Sequence, residues 1–194
     1  AMRLELARTV RRMLGLDVNP APLQRLVETV RKLGPTALAL RGMRPPRFAD
    51  FFEAFANVVP FQQLSLDAGV AIVGRLVERF GKHLELSGHR FNAFPTTRTV
   101  AKARLAVLRR CGLSRAKAES LRHIAQAIES GDLGEDAIAG MNTTAPLTRL
   151  TELPGIGVWT GAVILLRGFG RLDVFPPGDV GAARGLSELM RIRS

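Results

Sequence analysis

Apolar residues along the chain recur at intervals of three and four far more often than at intervals of two, the spacing of helices that pack through one face. The clearest run covers residues 66–80. There Leu66, Val70, Val73, Val77 and Phe80 are expected to form the buried stripe while Asp67, Glu78 and Arg79 face water, and Gly81 ends the helix. A second helix is expected to begin at Ser114 as N-cap, to carry Ala118, Leu121, Ala125 and Ile128 on one face, and to stop at Ser130-Gly131. Earlier helices are expected over residues 4–14, 23–33 and 48–58, separated by proline-containing turns at 19–22, 44–47 and 94–97. From 156 to 166 the pattern changes, because Trp159, Ala162, Val163, Ile164, Leu165 and Leu166 leave hardly a polar face, so this helix is placed in the middle of the molecule. Residues 168–178 hold no period, and Pro176-Pro177-Gly178 delivers the chain to Asp179 just before a last helical stretch, 180–190.

These signals predict an all-α fold. Strand patterns are scarce, and no internal repeat or low-complexity tract is present. At 194 residues the chain can bury a real core without staples. Cys111 is the single cysteine, which leaves no intrachain disulfide and no thiolate set for an iron-sulfur cluster. No apolar run approaches the roughly 20 residues that span a bilayer, and the start lacks a signal-peptide core, so a cytoplasmic protein without a membrane partner is expected. The net charge of +11 changes the picture more. All but four of the 28 basic residues are arginine, which suits either a polyanionic partner such as nucleic acid or an arginine-rich proteome.

Two segments carry candidate chemistry. Leu153-Pro154-Gly155-Ile156-Gly157 is a tight hairpin sequence between a helix expected to end near Glu152 and the apolar helix after it. Its glycines permit positive φ and bare the main chain, so amides at a helix start can approach an anion. Taken in isolation it reads more readily as a plain Gly-rich turn between packed helices. Asp179, after Pro-Pro-Gly, suits a helix N-cap, and a carboxylate so held stays ionised and places negative charge at a defined point.

The run Leu153-Pro154-Gly155-Ile156-Gly157-Val158-Trp159-Thr160, the apolar helix, and then Asp173-Val174-Phe175-Pro176-Pro177-Gly178-Asp179 together resemble the helix-hairpin-helix DNA glycosylase superfamily. Phe61-Gln62-Gln63-Leu64-Ser65-Leu66, residues 74–81 and Gly112-Leu113-Ser114-Arg115-Ala116-Lys117-Ala118-Glu119 are similar to the 3-methyladenine DNA glycosylase II branch, so the resemblance runs from about 48 to 186.

The resemblance implies a two-lobed helical bundle with a helix-hairpin-helix motif and the active-site cleft between the lobes, lobe one about 1–62 and lobe two about 63–194. It implies a probe of double-stranded DNA, expected as a monomer, that hydrolyses the N-glycosidic bond of alkylated bases in base excision repair. Asp179 would be the catalytic carboxylate, stabilising the cationic sugar as the base departs. Trp159, Val163 and Val180 would line the base pocket. Gly155, Gly157 and Thr160 would hold a backbone phosphate, and Gln63 or Leu64 would fill the hole left by the flipped nucleotide. No cofactor is required; the main-chain carbonyls of Thr151, Leu153 and Ile156 would hold a monovalent cation. Bifunctional members carry lysine where this chain has Trp159, and Lys32, Lys82, Lys102 and Lys117 all lie outside the segment from hairpin to Asp179, which implies no AP-lyase activity.

The chain also departs from the family. It runs fifteen residues past Asp179, so C-terminal helices that return to lobe one are expected to be lacking, and because residue 3 onward reads as helix no counterpart is expected to the N-terminal β domain of related enzymes. It contains no tyrosine, and Val163 and Val180 stand where aromatic rings are common. The competing reading is a non-catalytic helix-hairpin-helix module for duplex DNA. It accounts for charge and hairpin but gives no reason for the Pro-Pro-Gly-Asp loop.

Overall fold

A computed structural model describes residues 2–142 and 144–190. Helices dominate: α1 (Met2–Met13), α2 (Ala21–Glu28), α3 (Gly34–Ala39), α4 (Phe51–Val58) and α5 (Leu66–Phe80) precede a β-hairpin, and α6 (Thr97–Ala101), α7 (Leu105–Arg110), α8 (Arg115–Ser130), α9 (Glu135–Ala139), α10 (Ala145–Thr151), α11 (Val158–Ile164) and α12 (Val180–Met190) follow it. The hairpin pairs β1 (His83–Leu86) with β2 (His89–Asn92) antiparallel around Ser87-Gly88. It was not foreseen from the pattern because both strands are exposed throughout and carry no buried alternation to read.

The core forms around α4, whose sequence Phe51-Phe52-Glu53-Ala54-Phe55-Ala56-Asn57-Val58 buries six of eight residues. Asp50 starts this helix by accepting the Glu53 amide at 2.7 Å, so it begins at Phe51, after Phe48 and Ala49. Phe51 packs edge-on against Phe55 and Phe169, and α4 lies on α8 and α11, where Leu121, Ile124, Ala125 and Ile164 are fully buried. Each such aliphatic or aromatic side chain contributes about 1.5–3 kcal/mol of burial. One core therefore runs from Phe51 to Leu165 and is continuous across the division expected near 62/63.

The expected long, apolar central helix is observed as α11 plus one π-helical turn, Leu165–Phe169, with Thr160, Gly161, Ala162, Ile164 and Leu165 buried. α8 matches its expected cap and stop, Ser114 accepting the Lys117 amide and Gly131 at φ +85°. α5 has the expected bounds but a different phase. Gly69, Ile72 and Leu76 form its buried stripe, whereas Leu66 and Val70 are exposed. The reason is Gly69, where the Phe61 ring occupies the space that a Cβ would take, so only the face bearing that glycine can turn inward. Gly81 likewise ends α5 in an extended conformation, and its missing side chain makes room for the Ala93 carbonyl. The helix expected over 23–33 stops at Glu28, and α3 forms separately at Gly34-Pro35.

The helices before residue 47 contribute nothing buried and attach through arginines. Arg12 donates to the Phe48 carbonyl at 3.0 Å and the Gly168 carbonyl at 3.1 Å and pairs with Glu135, and Arg47 donates to the same Gly168 carbonyl at 2.6 Å. Two guanidinium groups thus sit on the C-terminal end of the central helix, where the helix dipole favours cations. From there the irregular segment runs to Asp179. Among the described residues no helix is long and apolar enough to cross a membrane.

Candidate active site

Asp179 reaches its position through Gly178, at φ +70°, a left-handed turn that a side chain would strain. Its Oδ1 accepts the backbone N–H of Ala182 at 2.9 Å, which makes it the cap of α12. Its Oδ2 accepts the indole N–H of Trp159 at 2.9 Å. The Ala182 amide first, and the Trp159 indole second, hold the carboxyl below the usual carboxylate range against a smaller opposing effect of burial. At neutral pH the group is an anion with both oxygens oriented.

Trp159 owes its place to the hairpin. α10 ends at Thr151, Ile156 donates its amide to the Leu153 carbonyl at 3.0 Å, and Gly155 turns the chain at φ +80°. Ser120, buried on α8, donates its hydroxyl to the Pro154 carbonyl at 2.6 Å, and a Cβ on Gly155 would lie 2.8 Å from that hydroxyl oxygen. Gly157 differs: its backbone is extended, it precedes α11 with no side chain capping the helix, and a Cβ there would meet nothing within 4 Å. The space beside Gly157 is open, while that beside Gly155 is filled by Ser120.

The third wall is the turn after α4. A 3-10 turn, Val59–Phe61, leads to Gln62, to Gln63 at φ +55° and to Leu64, before Ser65 caps α5. Gln62 Nε2 donates to the Gly155 carbonyl at 2.8 Å and to the Thr160 hydroxyl at 2.9 Å. Lys117 Nζ, from the first turn of α8, donates to the Gln62 carbonyl at 2.6 Å and the Pro60 carbonyl at 3.1 Å, and burial lowers its pKa.

These walls enclose an open cleft of about 800 Å³ lined by Gln63, Leu64, Gly155, Gly157, Trp159, Thr160, Asp179 and Val180 among others. Of the residues expected at the site, the cleft brings all of these together from three separate stretches, 63–64, 155–160 and 179–180. Thr151, Leu153 and Ile156, expected to act through their carbonyls, lie outside this lining, and so does Val163. It stands one turn beyond Trp159 on α11 and packs half-buried against the core, not in the cleft wall. Thr160 borders the cleft but is buried, and its hydroxyl oxygen accepts from Gln62, which leaves the O–H proton as its remaining donor. Val180, 80% exposed, lies at the mouth. Gln62, Lys117 and Ser120 were missed: each acts on a carbonyl or hydroxyl from a distant element, and nothing in local periodicity announces that. Lys117 and Asp179 are the ionisable side chains among the lining residues. Arg167, Arg171 and Arg184 are engaged elsewhere, with the Pro46 carbonyl and Phe48 ring, with Asp173, and with Glu188.

The arrangement offers a fixed anion beside an aromatic face, in a cleft large enough for a nucleobase and rimmed by an exposed backbone turn. Comparison with known proteins points the same way. The family described as HhH-GPD superfamily base excision DNA repair protein matches residues 57–194. The DNA-3-methyladenine glycosylase of Bacillus subtilis is 27% identical over 187 residues, 96% of this chain and 62% of that protein. DNA-3-methyladenine glycosylase 2 of Escherichia coli is 31% identical over 168 residues, 87% of this chain and 56% of that protein. The solved 3-methyladenine DNA glycosylase of Archaeoglobus fulgidus superimposes with a TM-score of 0.78 at 32% identity, covering 95% of this chain and 62% of that one. The chain thus spans about three fifths of the length of these relatives.

Proposed function

The chain belongs to the HhH-GPD superfamily of base excision DNA repair proteins, and on that premise we propose that it is a monofunctional DNA glycosylase that hydrolyses the N-glycosidic bond of alkylated bases in duplex DNA. The observation that carries this reading is the Asp179 carboxylate, fixed by the Ala182 amide and the Trp159 indole at the edge of a nucleobase-sized cleft. A module that only gripped DNA would need no more than the α12 cap, which an uncharged asparagine or serine supplies without repelling phosphate.

In this reading the damaged nucleotide leaves the stack and its base lies against the Trp159 ring. The ring's N–H is already spent on Asp179, so the face that receives the base and the anion that serves the sugar are set by one hydrogen bond. As the C1′–N bond breaks, its electron pair leaves with the base and positive charge builds on the deoxyribose. Asp179 stabilises that charge in a site where it need not reorganise. Water then adds to C1′ and loses a proton, giving an intact abasic strand. Trp159 has no amine to form an imine with the sugar, and Lys117 is committed to two carbonyls.

The exposed turn at Gly157 is the proposed seat of a DNA phosphate, which a bare glycine admits closely. A cation held by the Thr151, Leu153 and Ile156 carbonyls is compatible with the hairpin. The Leu153 oxygen accepts one amide and keeps a second lone pair, and such an ion would add positive charge beside that phosphate.

The test is release of free base from methylated duplex DNA, followed by alkali to cleave at abasic sites. Base release with alkali-dependent cleavage supports the reading; duplex binding without release supports the non-catalytic alternative.

A further inference from the structure

The turn from Pro60 to Leu64 is held from three sides. Phe61 fills the notch left by the absent side chain of Gly69 on α5. Gln62 ties the turn to the hairpin through the Gly155 carbonyl and the Thr160 hydroxyl. Lys117 ties it to α8 through the carbonyls of Pro60 and Gln62. Between these anchors Gln63 stands exposed at the cleft with φ +55°, a conformation that an unbranched non-glycine residue keeps only when its surroundings impose it. Both Lys117 bonds go to this turn, and neither goes to the hairpin or to the Asp179 loop.

We infer that Lys117 and Gln62 are positioning residues for nucleotide extrusion: they join the Pro60–Leu64 turn to α8 and to the hairpin as one rigid unit, so that Gln63 is presented to the DNA stack already in its inserting conformation. This rests on the glycosylase reading. A preorganised turn contributes to expelling a base from the duplex, not to breaking the glycosidic bond and not to gripping phosphate. The side-chain amide of Gln62 then makes grip and insertion a single event, because a shift of the hairpin on the backbone moves the turn with it.

The test compares wild type, Lys117→Met and Gln62→Leu on two duplexes that carry 7-methylguanine, in one opposite cytosine and in the other opposite an abasic-site analogue, where no pair has to be broken. Single-turnover release from the paired duplex is expected to fall ~30-fold in either variant, and release from the unpaired one by no more than ~3-fold, with Kd within a few-fold. A 2-aminopurine beside the lesion reports unstacking without chemistry, and its rise on binding is expected in wild type and lost in Lys117→Met. Thermal unfolding shows that each variant is folded. Equal losses on the two duplexes, or a 2-aminopurine signal unchanged from wild type, overturn the inference. Absence of base release by the wild type would contradict the glycosylase reading instead, and the fluorescence comparison would still decide the role of Lys117.

Discussion

The indole N–H of Trp159 and the carboxylate of Asp179 share a 2.9 Å hydrogen bond, which links the first turn of α11 to the cap of α12. Besides the stacking role proposed for its ring, the indole is one of the two donors that keep the carboxylate ionised.

Trp159→Phe keeps an aromatic face and removes the donor. Single-turnover base release is expected to fall about 10-fold, roughly the worth of one hydrogen bond to a charged group. The pH profile should move with it. Asp179 titrates below its unfolded value, so its contribution to activity and to the α12 cap is fully present above the usual carboxylate pKa of about 3.9 and is lost as pH falls through the depressed folded value. In wild type the acid limb of the single-turnover rate is expected below that value, and in Trp159→Phe it should shift upward. An acid limb that stays put in the variant contradicts the link.

The two hairpin glycines should fail in different ways. Gly157→Val adds bulk where the protein has nothing within 4 Å, so the melting temperature should change little while affinity for damaged and undamaged duplex falls alike. Gly155→Val forces a branched residue to φ +80° against Ser120, with an expected cost of about 1–3 kcal/mol seen in thermal unfolding. Loss confined to damaged DNA in Gly157→Val would move that residue from the backbone grip to the base pocket.

Borohydride added during turnover is expected to trap no covalent adduct, because Trp159 replaces the amine that strand-cleaving relatives use and the Lys117 ammonium is held by the Pro60 and Gln62 carbonyls. An adduct in wild type that disappears in Lys117→Met would show that this lysine reaches the sugar.

Bases that already carry positive charge, 3-methyladenine and 7-methylguanine, should be released faster than 8-oxoguanine or hypoxanthine. A cationic base leaves without being protonated, whereas a neutral one needs a placed acid. Arg167, Arg171 and Arg184 are engaged away from the cleft, and Lys117 directs two of its three N–H groups to the turn. Single-turnover rates on otherwise identical duplexes make the comparison; faster release of 8-oxoguanine contradicts it.

Much of this was legible in the sequence where one element's own pattern decides its structure. Ser114 and Gly131 bound α8, and Pro176-Pro177-Gly178 before Asp179 announced a cap that the structure contains. The phase of α5 was not legible, since Leu66 and Val70 compete with Ile72 and Leu76 and the winner depends on Phe61 finding Gly69. The short helices α6, α7 and α9 are too brief to show a period, and the exposed β-hairpin shows none. Val163 lies outside the cleft lining, because spacing along a helix gives the face but not how far the cleft reaches down it. Gln62 and Lys117 meet across 55 residues, a contact that only the packed core creates.

The central claim is that the Asp179 charge, and not its capping hydrogen bond, drives base release. Asp179→Asn separates the two, because its one amide oxygen can still accept from Ala182 as a cap while the charge, and with it the acceptor for the Trp159 indole, is removed. The decisive measurement is the single-turnover rate of 7-methylguanine release by Asp179→Asn, alongside its Kd for the same duplex. The rate is expected to fall by about 10²–10³-fold or more while the Kd stays within a few-fold of wild type or improves. A folded Asp179→Asn protein that releases base at the wild-type rate would contradict the account.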